Sequence, residues 1–277
     1  MGRRVRKKSI ASRILTWLIL LAALVGYILW GNSTIMVSEI PVTLADLPEA
    51  FSGYRIAQIS DLHNASFGED NELLLDKLAQ CAPDIIVLTG DLFDCNRTDV
   101  DVAARFAADA ARMAPTYYVT GNHEAYSLTE YKQLKSALQE AGVTLLENKL
   151  VELEKDAASI SLLGLHDPGF TSVQDSLTAL APQAGPCTIL LAHRPELVES
   201  YARAGMDLVF SGHAHGGQFR LPFLGGILSP GQGFLPEYDS GLYQVQDTQL
   251  IVSRGLGNSR FPFRLNNRPE IVLAVLN

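Results

Sequence analysis

Five short polar clusters hold almost every side chain of this sequence whose type and spacing suit metal or acid–base chemistry. They are Ser60-Asp61-Leu62-His63, Gly90-Asp91-Leu92-Phe93-Asp94, Gly121-Asn122-His123-Glu124, Ala192-His193-Arg194 and Gly212-His213-Ala214-His215. Five of the six histidines fall in them. Carboxylate, imidazole and amide oxygen together suit borderline divalent ions, manganese, iron or zinc, better than calcium or thiolate-seeking ions. The last cluster lies in a glycine-rich turn, where the backbone can approach an ion without interference from Cβ. A His-x-His pair alone reads equally as a ligand pair or as two turn histidines, and its four companions are what favour a metal.

Each cluster ends a strand-like apolar run, at 54–59, 84–89, 116–119, 188–191 and 207–210. Helical spacing over 72–80, 100–113, 128–141 and 196–204 alternates with these runs and predicts a largely parallel sheet with helical crossovers. The runs 144–146, 151–153 and 159–163 read as an antiparallel meander, and 241–245, 250–253 and 271–275 are strand-like again. Burying all these apolar faces requires an α/β fold in four αββα layers, two mixed sheets packed face to face with flanking helices outside both. Groups at the carboxyl ends of parallel strands converge on one crevice, so clusters from Asp61 to His215 can meet in space.

Taken in order, Asp-x-His, Gly-Asp-x-x-Asp, Gly-Asn-His-Glu, a lone His and Gly-His-x-His resemble the complete signature of the calcineurin-like metallophosphoesterases, from Tyr54 to the C-terminus. The N-terminal apolar run, Gly216-Gly217-Gln218 and Ser253-Arg254-Gly255-Leu256-Gly257 resemble most the small bacterial membrane-anchored phosphohydrolases of that superfamily. The resemblance implies two divalent metal ions, manganese or iron first and zinc as a third candidate. It implies Asp61, His63 and His215 on one ion, Asn122, His193 and His213 on the other, and Asp91 bridging both. A bridged pair about 3.5–4 Å apart generates hydroxide near neutral pH and clamps the phosphoryl oxygens during in-line displacement. His123 would protonate the leaving oxygen or stabilise charge on it, and Asp94 would orient a ligand.

Each of these residues has a plainer use. Asp94 could cap the following helix, Glu124 could begin one, and His166 reads best as a turn histidine. Arg194 and Arg254 have planar forks that suit a substrate phosphate. The aromatic, proline-rich stretches 219–236 and 261–269 lack periodicity and suit either loops over the cleft or a surface near a membrane.

The N-terminus defines its own segment. Arg3, Arg4, Arg6, Lys7, Lys8 and Arg13 contain no acid among them, and no charge follows between Arg13 and Glu39. The expected division is a basic cytoplasmic segment over 1–13, a transmembrane anchor over 14–36, a connector over 37–50 and a metallophosphoesterase domain over 51–277. A cleaved signal peptide has a shorter apolar core than this, and the positive-inside rule places the domain outside the cytoplasm. Setting the six bases aside leaves 16 bases against 30 acids, a net charge of -14, which excludes a nucleic-acid-binding face. Three cysteines, Cys81, Cys95 and Cys187, make no disulfide framework.

The expected activity is hydrolysis of a phosphodiester, phosphomonoester or pyrophosphate on a small-molecule or lipid-linked substrate. Some anchored relatives are thought to cleave the pyrophosphate of a nucleotide-linked acylated sugar (UDP-2,3-diacylglucosamine type), but that substrate is cytoplasmic whereas the expected domain faces outward. A metal-containing protein that binds phosphorylated ligands without turnover is the alternative from another class, and it would have no use for a proton donor such as His123.

Overall fold

A computed structural model describes residues 10–259 and 261–277, so the bases at 3–8 lie outside the described residues. Helix α1 (Ile10–Ser33) is about 36 Å long at 1.5 Å per residue, enough to cross a bilayer, and none of it is buried in the rest of the chain. It leads through two residues into strand β1 (Met36–Val42), followed by β2 (Arg55–Ile59), α2 (Glu72–Gln80), β3 (Ile85–Thr89), α3 (Val100–Met113) and β4 (Thr116–Val119). Next come α4 (Asn122–Tyr126), α5 (Leu128–Glu140), β5 (Thr144–Leu145), β6 (Lys149–Lys155), β7 (Ala158–Gly164) and α6 (Val173–Leu180). The chain closes with β8 (Thr188–Leu191), α7 (Val198–Arg203), β9 (Leu208–Ser211), the two-residue strands β10 (Arg220–Leu221), β11 (Gly225–Gly226), β12 (Leu228–Ser229) and β13 (Gly233–Phe234), then β14 (Gly241–Val245), β15 (Thr248–Val252) and β16 (Glu270–Leu276).

Two six-stranded sheets result, in the orders β1-β16-β2-β3-β4-β5 and β14-β15-β9-β8-β7-β6. In each, the strands that carry the polar clusters run parallel, and antiparallel strands lie toward the edges. Every residue of β3 is buried because alternate side chains serve two cores. Ile86 and Leu88 pack toward α2, α3 and α5 with Leu78, Phe106 and Leu134, while Ile85 and Val87 face the second sheet with Ile189, Leu191 and Phe210. A third core seals the outer face of the second sheet under α6 and α7 through Leu177, Val198 and Tyr201. Those three cores are the seams of a four-layer αββα sandwich.

Three expectations change. The segment 37–50 is more than a connector, because β1 pairs in parallel with β16 from Met36↔Glu270 to Val42↔Leu276 and closes an edge of the first sheet. That pairing also ends α1 at Ser33, short of 36. The run 144–146 leaves the expected meander, since β5 extends the first sheet beside β4, and of the three runs only β6 and β7 pair antiparallel, in the second sheet.

Phe210 is fully buried between the sheets, directly before Ser211-Gly212-His213. Phe210→Ala should cost about 3–5 kcal/mol of stability by denaturant unfolding, whereas Leu73→Ala, half-exposed on α2, should stay within about 0.5 kcal/mol.

Candidate dimetal centre

The five clusters meet at the carboxyl ends of β2, β3, β4, β8 and β9. The backbone is bent hard to bring them there: Asp61, His63, Asp91, His213 and His215 all have φ between 46° and 63°, in the left-handed region. Non-glycine residues hold that conformation only where the surroundings enforce it. The enforcing contacts link one strand tip to the next. Asp61 N–H donates to Gly90 O at 3.0 Å, His63 N–H to Asp91 O at 3.1 Å and Gly212 N–H to His193 O at 3.0 Å. Two glycines make room for this crowding. A Cβ on Gly90 (φ 91°) would stand 2.5 Å from Gly121 N, and one on Gly121 would stand 2.2 Å from Asp91 Oδ1.

The result is two buried donor groups that share Asp91. Asp61, His63, Asp91 and His215 form the first, with candidate ligand atoms within 4.8 Å of one another; Asp91, His193 and His213 form the second. His63 Nε2 and His215 Nε2 are 3.2 Å apart, and so are His213 Nδ1 and His193 Nε2. Ligands at about 2.1 Å from one ion stand about 3.0–3.4 Å from their nearest neighbours, so both pairs have the spacing of two donors on one cation. Asn122 adds a buried side-chain oxygen with no protein partner at the wall of the cleft, as an amide ligand would. His193 Nδ1 lies 2.7 Å from Thr89 O, so it donates there and leaves Nε2 free to coordinate. The donor set therefore fits two divalent ions.

Burial sets the electrostatics. It pushes Asp61 up to about 6, His63 down to about 3, and His213 and His215 well below the usual imidazole range. Burial also opposes ionisation of Asp91, but the charge and hydrogen bond of His193, 3.2 Å away, outweigh it and hold the carboxyl well below its usual range. By the same pairing His193 rises to about 10 despite burial. Metal and proton then compete for His193 Nε2.

Glu124 lies in the first turn of α4, the helix start that sequence suggested, and from there it also belongs to this framework. Its carboxylate is fully buried and accepts from Asp91 N–H, Leu92 N–H and Gly121 N–H at 2.9, 2.9 and 2.7 Å, tying the tip of β3 to that of β4. Burial and the adjacent Asp91 charge push the carboxyl up to about 8, against the pull of those donors. Asp94 folds the turn after β3, accepting from Asn96 N–H at 2.8 Å and Arg97 Nη2 at 3.1 Å. The residue that caps α3 is Asp99, not Asp94. That turn presents Cys95 N–H to His123 Nδ1 at 3.0 Å, which puts the ring proton on Nε2.

The centre lies at one side of a cleft of about 650 Å³ lined by Asp91, Asn122, His123, Arg194, His213 and His215, among others. Arg194 is held there by Asp167, which accepts from Nε at 2.6 Å and Nη2 at 3.1 Å. Arg254 is not at the cleft. Its backbone N–H donates to Glu270 at 2.9 Å, its Nη1 approaches Met36 Sδ at 3.8 Å, and so the fork points to the β1–β16 edge and away from any substrate phosphate. His166 is a turn histidine beside Thr120, with Nδ1 3.1 Å from Oγ1. Arg264, unnoticed in an aperiodic stretch, is fully buried behind the centre. It donates to Arg254 O at 2.6 Å and to Gly257 O, and its Nη2 lies 3.4 Å from His215 Nδ1.

Two cation sites sharing one carboxylate, at the strand tips of a four-layer sandwich, define a dimetal hydrolase fold. Residues 54–217 match the family model of the calcineurin-like phosphoesterases. The chain is 33% identical over 239 residues to the uncharacterized metallophosphoesterase YkuE of Bacillus subtilis, covering 83% of this chain and 81% of that one. It is 30% identical to the phosphodiesterase YaeI of Escherichia coli, over 84% of this chain and 86% of that one. Among solved structures it resembles TT1561 of Thermus thermophilus, with a TM-score of 0.51 and 14% identity over 74% of this chain and 91% of that one, a likeness of fold. The chain belongs to the calcineurin-like phosphoesterase family and is a metal-dependent phosphoester hydrolase.

Two outcomes test the site. Glu124→Gln removes one acceptor oxygen from three backbone donors and should lower stability by about 1–3 kcal/mol in thermal melts. Adding manganese to the metal-free chain at neutral pH in weak buffer should release about one proton per chain, and His193→Asn should abolish that release.

Proposed function

We propose that the protein is a membrane-anchored dinuclear phosphoesterase that hydrolyses a phosphodiester, with phosphomonoesters and pyrophosphates as further substrates of the same cleft. The observation that carries this reading is the pair of donor groups joined at Asp91, with His123 and Arg194 facing the same cleft. Asp61, His63 and His215 would hold one ion, Asn122, His193 and His213 the other, and Asp91 would serve both. When bound, two such ions supply Lewis-acid activation of water and neutralise charge on the phosphoryl oxygens. Diester hydrolysis is the activity that YaeI carries in its name.

The remaining chemistry belongs to the chain. Arg194, fixed by Asp167, has its Nη1 outside that clamp and 3.7 Å from Glu196 Oε1, from where it reaches a phosphoryl oxygen in the cleft. His123 bears its proton on Nε2, beside Asp91 Oδ2 at 4.0 Å and Ser259 Oγ at 3.4 Å. With Nδ1 accepting from Cys95, full loss of the Nε2 proton would leave an imidazolate. His123 therefore stabilises charge on the leaving oxygen by a hydrogen bond and does not transfer the whole proton, much as neutral imidazoles polarise oxygens elsewhere. Asp94 is a positioning residue that sets His123 through the 94–97 turn. Helix α1 anchors the chain in a membrane, and the bases before it, with no acid among them, favour an outward-facing domain.

With manganese and a bis-aryl phosphodiester, Asp91→Asn should lose about 10³-fold or more in kcat. His123→Ala should lose about 10²-fold at unchanged metal content, and His123→Gln, which still donates a hydrogen bond, should recover most of that. A glutamine variant as slow as the alanine one would restore full proton transfer to His123, and an inactive native chain loaded with two metals would overturn the hydrolase reading.

A further inference from the structure

One surface is left over by the fold and the chemistry. The hairpin β10–β11 ends in Phe223 and Leu224, and the hairpin β12–β13 ends its return strand in Phe234 and Leu235; these four side chains are 107, 62, 71 and 48% exposed. Phe261 and Phe263, each more than a third exposed, pack on Phe219, whose ring centroid lies 5.2 Å and 5.4 Å from theirs, and Phe219 O accepts from Ile227 N–H, whose own carbonyl accepts from Leu235 N–H, both at 2.9 Å. Exposed apolar side chains gathered on neighbouring hydrogen-bonded segments mark an interaction site.

The same segments grip the end of α1. Asn32 accepts from Arg264 N–H at 2.7 Å and donates to Arg264 O at 3.0 Å. Arg268 lies 5.1 Å over the Trp30 ring and donates to Thr34 O and Ile35 O. Tyr27 Oη hydrogen-bonds to Asn266, and Asn266 Nδ2 donates to Arg220 O at 3.1 Å, at the base of the β10–β11 hairpin. These contacts hold the hairpin base level with Tyr27 and Trp30, side chains that settle where a spanning helix leaves the hydrocarbon. Phe223 is three residues beyond Arg220, a reach of at most about 10 Å, comparable with the roughly 5–10 Å to which interfacial segments bury apolar side chains. Among the described residues charge does not supply the attraction, because Arg220 is paired with Asp239 at 3.0 Å and Arg268 is spent on Trp30 and two carbonyls.

We propose that these apolar side chains form an apron that seats in the lipid interface beside α1, so that the cleft opens at the bilayer surface and takes phosphoesters whose apolar tail stays in the membrane. The apron and the cleft are one structure: Phe261, Leu228 and Gly233 line the cleft, and Phe234 and Leu235 follow Gly233 directly. The proposal rests on the anchored hydrolase reading above, from which its test is separable.

The full chain, reconstituted in phosphatidylcholine–phosphatidylglycerol vesicles, carries a spin label at Phe223→Cys or, as reference, at Asp156→Cys in the exposed β6–β7 turn at the far end of the second sheet. The unsubstituted chain gives the background from Cys95, the least buried native thiol. The label at 223 should collide more with dissolved oxygen than with a water-soluble nickel chelate, and the label at 156 the reverse. Vesicle-bound chain with equal chelate exposure at both positions overturns the apron and leaves the anchor standing; chain that does not float with vesicles overturns both. A second measurement compares a bis-aryl phosphodiester carrying a long alkyl tail in the vesicle with its soluble counterpart. Phe223→Glu with Leu224→Glu should slow the tailed probe about tenfold and leave the soluble probe unchanged, whereas equal effects on both count against delivery from the bilayer. No turnover of either probe by native chain removes the hydrolase reading, while the label depth still decides the seating.

Discussion

Everything at the strand tips depends on keeping Asp91 ionised where almost no water reaches it. A lone buried carboxylate would take up a proton instead of staying charged. Asp91 escapes because His193 is 3.2 Å away and the His123 N–H donates to its Oδ1 at 2.9 Å. The same carboxylate is the one member common to both donor groups. Its charge is thus what allows two cations to be held side by side, and the surrounding layers serve to fix it.

That fixing costs conformational energy. Five of the seven metal-donor residues sit in the left-handed region, at on the order of 1–2 kcal/mol each for a side chain with Cβ. The cost is tolerable because the strained residues follow strands that are almost wholly buried and are held from outside: Asp61 and His63 donate from the backbone to the tip of β3, His213 N–H donates to Asp61 Oδ1 at 3.1 Å, and His215 O accepts from Asn267 Nδ2 at 2.7 Å. Glu124 is the clearest case: one buried carboxylate collects three N–H groups that the sharp turns turn away from any ladder. Rigid tips explain how residues more than 150 positions apart, Asp61 and His215, reach 3.5 Å separation between Oδ1 and Nε2.

Much of this was legible from the chain alone, for a physical reason. Buried parallel strands must be nearly continuous apolar runs, so a polar cluster at the end of one stands out, as at Asp84 to Asp94. The donor residues and the alternation of strand and helix follow from that contrast. What was not legible came from partners chosen in three dimensions. β1 mixes apolar and polar residues without a clean period, contains Pro41, and has nothing to distinguish it from a connector until β16 pairs with it. β5 has only two residues and reads as a piece of the following hairpin. Arg254 and Arg264 are both arginines near the C-terminus, and only the course of 253–269 around the end of α1 sends one to the sheet edge and the other behind His215. An arginine set directly after the apolar Phe261-Pro262-Phe263 was the available signal.

Helix α1 and the catalytic framework are mechanically continuous, and this limits what a movement of the helix can do to the site. Only two residues separate α1 from β1, so a tilt of the helix has no flexible linker in which to dissipate. It must act on the β1–β16 edge or on the 258–269 segment, and Asn32 grips that segment through the backbone of Arg264. Arg264 is buried, pushed down to about 10 by burial, and its guanidinium lies beside the His215 ring. A helix displacement large enough to move Arg264 would therefore shift a positive charge against a metal donor. The hydrogen bonds to Gly257 O and Arg254 O oppose that displacement, which makes this arginine the stiff joint that keeps the donor geometry independent of movements of α1.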